Sequence, residues 1–304
     1  MIEAIEKTPL DPAIAQMELR WKESGIPGLY DGGNGPVSRE RADNVRALLY
    51  PKPKLTTGRI ERYEIKSTDG TTIALRGYFP AAGESVGTVV VFHGGGWMVG
   101  SIDSHEAHAI RLANRAGVVV LSVEYRLAPE HRFPKAVEDA MAAVRWAAQN
   151  LGSLDGSNQP LAVSGDSAGG NLAAVCAVLC RDEGIALAAQ LLVYPATNLA
   201  GRAGPEQLYL GDNAESVARD PRASPLLTPS LAGVAPAIIG VGAHDFLYQD
   251  NLAYAQALER AGVPIALMQW PNLNHGFCSF TAISPASEAA ANALYEALGK
   301  LLRS

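Results

Sequence analysis

The chain has 304 residues with 48% hydrophobic and 18% charged side chains, enough to bury a large core, which excludes disulfide-stapled miniproteins and disordered or fibrous chains. Thirty-one acids against 25 bases give a net charge of −6 without any Lys/Arg run, so nucleic acid is not an expected partner. Neither a signal-peptide core nor an 18-residue apolar stretch is present in the sequence, and the expectation is a cytoplasmic protein with no membrane span.

Residues 1–52 read as helix, breaker, helix: apolar Ile14, Met17, Leu19 and Trp21, a Gly/Pro/Asn-rich segment from Gly25 to Pro36, and a second helix from Ser38 to Leu49. From Arg59 the texture changes. Two β-rich runs, Arg59–Ser67 and Thr72–Phe79, flank Asp69-Gly70 and predict an antiparallel hairpin. Apolar β-branched runs then alternate with helical periods to the end of the chain. Strands begin near Val86, Val118, Leu161, Ala188, Ala237 and Ile265, and helices near Ser104, Pro134, Ala168, Gln249 and Pro285. That rhythm predicts one α/β domain over residues 53–304 with a mainly parallel sheet. The N-terminal 52 residues and the Gly/Pro/Asp-rich excursion at 196–223 break the rhythm and are expected to form a small helical cap over the carboxyl ends of the strands.

Gly165-Asp-Ser-Ala-Gly169 stands where an apolar strand ends and an Ala-rich helix begins. A Gly-x-Ser-x-Gly in that context is a nucleophile elbow: a turn tight enough to lift Ser167 Oγ clear of the backbone, with no room for Cβ atoms two places to either side. An ordinary helix-capping loop is the simpler alternative. His93-Gly-Gly-Gly-Trp97 follows another strand, and such a glycine run can aim backbone N–H groups, with that of Ala168, at a developing oxyanion. Its resemblance to a dinucleotide fingerprint fails on spacing, because Gly100 lies one place too far, and no cofactor is expected. A serine needs a general base oriented by an acid, and in elbow folds the order is Ser, acid, His. His275 after the last strand and Asp245 after the preceding one satisfy it, while Asp250 is the alternative acid, otherwise a helix cap.

The remaining candidates read as structural. His105, Glu106 and His108 lack the spacing and third ligand of a metal site, His244 points away from Asp245, and Cys176, Cys180 and Cys278 are packing thiols. Arg126 is expected to be buried against carboxylates such as Asp166 or Glu130.

Taken together, His93–Trp97, Tyr125–Pro134, Gly165–Gly169, Ser224–Leu226 and His275–Phe277 resemble the Gly-Asp-Ser-Ala-Gly branch of the hormone-sensitive-lipase family of microbial carboxylesterases. The resemblance implies an eight-stranded α/β-hydrolase fold and hydrolysis of short- to medium-chain esters by Ser167, Asp245 and His275. It also implies Gly95, Gly96 and Ala168 as oxyanion donors, His93 and Gly94 shaping their loop, and Trp97, Asp166 and Phe277 in or beside the pocket. Pairing into a dimer through the last strand and final helix is implied too. Two alternatives stay open: an amide or formamide hydrolase on the same triad, and a catalytically silent binding protein. The chain departs from the family in having Asp245-Phe246-Leu247 where Asp-Pro-Leu is usual, and a shorter excursion at 196–223, which suggests an open pocket tolerant of bulky groups.

Overall fold

The computed structural model describes residues 2–31, 34–49, 55–154 and 160–304. The expected boundary at residues 52–53 lies outside them. Eight strands form one sheet: β1 (Ile60–Lys66), β2 (Thr72–Tyr78), β3 (Thr88–Phe92), β4 (Val119–Val123), β5 (Leu161–Asp166), β6 (Ala189–Val193), β7 (Ala237–Gly242) and β8 (Ile265–Trp270). Their order is β1-β2-β4-β3-β5-β6-β7-β8. β1 and β2 pair antiparallel around Asp69-Gly70, β2 runs antiparallel to β4, and every later pairing is parallel.

The helices are α1 (Pro12–Ser24), α2 (Gly35–Leu49), α3 (Glu106–Leu112), α4 (Lys135–Leu154), α5 (Ala168–Glu183), α6 (Pro205–Leu210), α7 (Ala214–Val217), α8 (Tyr248–Arg260) and α9 (Pro285–Leu302). The helix expected over 104–116 is shorter, because after Leu112 the chain widens into a π-turn over Ala113–Gly117. None of the described helices is long and apolar enough to cross a membrane.

The central strands β4, β5, β6 and β7 are buried almost throughout, which is why their sequences are apolar runs rather than alternating ones. α4 and α5 pack on one face of the sheet and α3 and α9 on the other, so the apolar core forms two layers.

Both irregular segments are tied to the same edge of the sheet. Asp11 caps α1 by accepting the Ala13 and Ile14 N–H groups, and its own N–H donates to the Asn272 carbonyl at 2.9 Å. Asn274 Nδ2 donates to Glu18 at 2.6 Å, and Arg39 of α2 donates to the Met98 carbonyl at 3.1 Å. The 196–223 excursion is held at its two roots by one buried amide, Asn171 of α5, which donates to the Ala196 and Ala223 carbonyls at 2.7 and 2.9 Å. Its helix α6 rests on the loop after β3, where Tyr209 stacks on Trp97 with ring centroids 4.6 Å apart.

Candidate active site

Ser167 lies between the end of β5 and the first residue of α5, with φ 55° and ψ −116°. A positive φ in a residue with a Cβ is strained, and the fold enforces it here. The Ser167 N–H donates to the Val193 carbonyl at 2.9 Å, and a Cβ on Gly169 would collide with the Phe92 and His93 carbonyl oxygens. The elbow anticipated from the sequence is therefore built on close backbone approach on both sides of the serine.

The serine hydroxyl donates to His275 Nε2 at 2.9 Å, and His275 Nδ1–H donates to Asp245 Oδ2 at 2.8 Å. The other oxygen of Asp245 accepts the Leu247 N–H at 2.7 Å, so this buried carboxylate is fixed at both ends. Asp250 takes no part: it forms an ion pair with Arg202. Nor does it cap α8 with its side chain, as the sequence suggested, because the helix has already begun at Tyr248. His244 turns away and its Nε2 contacts the Thr8 carbonyl at 2.7 Å.

The loop after β3 is shaped by glycine conformations, with φ 127° at Gly95 and 58° at Gly96. At Gly95 a Cβ would run into the Val99 carbonyl, and at Gly96 it would come within 2.8 Å of Tyr30 Oη. Asp166 holds the loop from beneath by accepting the Gly94 N–H at 2.9 Å. Burial alone would push the Asp166 carboxyl up, but the neighbouring His105 and the Gly94 amide more than offset it and keep it below the usual carboxylate range. His93 is buried, its ring stacked on Tyr125 at 4.3 Å, and its Nδ1 faces the Gly94 carbonyl at 2.9 Å. Burial, reinforced by the nearby His105, pushes this imidazole down to about 3.

Ser167, His275, Gly94, Gly95 and Gly96 border a cavity of about 400 Å³ that Trp21 and Tyr30 from the N-terminal segment and Pro205 and Glu206 from the excursion also line. Trp97 and Asp166 also border it, as expected. Phe277 does not. The left-handed Gly276, φ 79°, turns the chain inward, and the Phe277 ring is buried edge-on to Tyr194. Phe280 and Phe246 supply the aromatic wall instead.

Two further readings are corrected. Arg126 pairs with neither Asp166 nor Glu130; it donates to Asp139 through Nε at 2.8 Å and Nη2 at 2.6 Å and to Asp69 at 2.8 Å, while Glu130 pairs with Arg39. Sequence proximity favoured Glu130, but the carboxylate one helical turn into α4 is the buried one. His105 and His108 do have a third potential ligand, since Asp166 folds beside them with all three donor atoms within 4.8 Å of one another. Asp166 already serves Gly94 there, and His105 Nε2 stands 3.6 Å from it. The three cysteines are free and buried, and burial pushes the thiols of Cys176, Cys180 and Cys278 up, Cys180 to about 12.

A mainly parallel sheet carrying a serine elbow, followed in chain order by an acid and a histidine at the ends of later strands, defines an α/β-hydrolase. Residues 89–279 match the family model described as alpha/beta hydrolase fold. The chain belongs to this family, in its hormone-sensitive-lipase branch. It is 36% identical to a carboxylic ester hydrolase of Mycobacterium tuberculosis, LipN, covering 97% of this chain and 84% of that one. It is 33% identical to an ethyl acetate hydrolase of Pseudomonas putida, over 86% of this chain and 91% of that one. Among solved structures, a hyperthermophilic esterase from the archaeon Pyrobaculum calidifontis superposes with a TM-score of 0.84 at 33% identity, covering 98% of this chain and all of that one.

Proposed function

We infer that the protein is a serine carboxylesterase acting on short- to medium-chain esters. The observation that carries this is the continuous hydrogen-bonded line from Asp245 through His275 to Ser167 Oγ, at the wall of an apolar cavity. Ser167 attacks the ester carbonyl as His275 takes its proton, and Asp245 holds the imidazole in the tautomer that can accept it. The tetrahedral oxygen is received by the N–H groups of Gly95, Gly96 and Ala168, of which Ala168 opens α5 and adds the positive end of that helix. His275 returns the proton to the departing alcohol, and water then releases the acid by the same steps.

The relatives named above are ester hydrolases, which favours esters over formamides on this triad. Residues 1–52 and 196–223 act as the cap, a reading supported by the cavity walls they supply. A dimer through β8 and α9 is compatible with β8 being an edge strand, and light scattering of the purified protein tests it. The deciding test of the chemistry is Ser167→Ala assayed with p-nitrophenyl butyrate, formylkynurenine serving as the amide comparison. Loss of ester turnover by about 10⁴-fold or more, with circular dichroism unchanged, is expected. Substantial residual turnover would refute the assignment.

A further inference from the structure

We propose that Phe246 forms the subsite for the alcohol portion of the ester and makes the enzyme selective for aromatic alcohols. Among the described residues, Phe246 is the most exposed large apolar side chain, at 68%. It does not lie on a loose surface loop. Its neighbours on either side are buried, and the Leu247 N–H bond to Asp245 pins the turn between them, so the ring is held outward while the chain around it is fixed. The ring borders the cavity and its centroid is 4.5 Å from that of His275.

That placement identifies which half of the substrate it meets. The general acid must stand within hydrogen-bond reach of the leaving oxygen, so the carbons attached to that oxygen lie beside His275 and against the Phe246 ring. An aromatic group there removes both faces from water and gains ring–ring contact, whereas a methyl or ethyl group covers little of the ring. Deacylation is untouched by this contact, because the alcohol has departed before that step begins.

The inference rests on the esterase reading, and butyrates of ethanol, cyclohexylmethanol and benzyl alcohol separate the two. Phe246→Ala should lower kcat/KM for benzyl butyrate about tenfold, the size expected for losing one aromatic contact with its buried area. Ethyl butyrate should change less than about twofold on the same grounds, the cyclohexylmethyl ester should fall between, and Phe246→Leu should restore mainly the latter. Deacylation, read from the steady-state phase after a p-nitrophenyl butyrate burst, should not move. An equal fall for all esters together with slower deacylation would show that Phe246 merely positions His275 and would overturn the proposal, as would no change for the benzyl ester. A wild-type enzyme inert on every butyrate would refute the esterase reading itself, and this inference with it.

Discussion

Acid should loosen this protein through His93 before it protonates the bulk of its carboxylates. The ring is 3% exposed, its Nδ1 faces the Gly94 carbonyl, and its Nε2 has no hydrogen-bond partner among the described residues, so an added proton would sit in the core beneath the glycine loop with none of them to accept it. Burial lowers the imidazole from its ordinary 6.5 to about 3. As pH falls below 6.5 the unfolded chain binds a proton at this position and the folded chain does not until about 3, so stability is lost across that window as pH falls. At pH 5 the imbalance is roughly thirtyfold, or about 2 kcal/mol from this one ring. Urea unfolding at pH 7 and pH 5 measures it. His93→Asn, which cannot take up the proton, starts less stable at pH 7 but should lose about 2 kcal/mol less than wild type on acidification. His108, which burial pushes down to about 4, adds its own acid sensitivity in both proteins, so the difference between them isolates His93. Equal losses in the two would refute the assignment of the acid sensitivity to His93.

Asp245→Asn should keep the fold and the Ser167–His275 contact yet reduce ester turnover by about 10⁴-fold, since the amide favours the wrong imidazole tautomer; single-turnover kinetics check this. Gly169→Ala should abolish soluble expression or activity, because the new Cβ meets two backbone carbonyls that cannot move independently of β3, whereas Gly25→Ala, facing open space, should cost only the ~1–2 kcal/mol of its left-handed conformation. Thermal denaturation of the two variants side by side tests that contrast. Asp139→Asn should destabilise by about 1–3 kcal/mol in urea, because the buried charge-assisted bonds to Arg126 are weakened while Asp69 still pairs with the guanidinium.

The sheet and the triad were legible in the sequence because each rests on local rules. Buried parallel strands must be apolar on both faces, an elbow needs glycine two places before and after its serine, and the acid and base follow at the ends of later strands. What escaped depended on which distant groups the fold brings together. Nothing near Arg126 marks Asp139 over Glu130, since the choice is made by how α4 packs on the hairpin. Asp166 reaches the His105–His108 turn only because β5 and β3 are neighbours in the sheet and not in the chain. Phe277 and Phe280 look equivalent on paper, and the turn at Gly276 sends the first into the core.

The three members of the charge line come from strands made at different times. Ser167 precedes His275 by 108 residues, so at about 5–20 residues per second the serine is synthesised several seconds before its base. The segment around Thr8 and Asp11 is in a similar position. Thr8 and Asp11 find their acceptors on Pro271 and Asn272, in the very loop that presents His275. The segment around Thr8 and Asp11 therefore finds these acceptors only once the loop at residues 271–275 has been made, and Ser167 gains its base from that same loop.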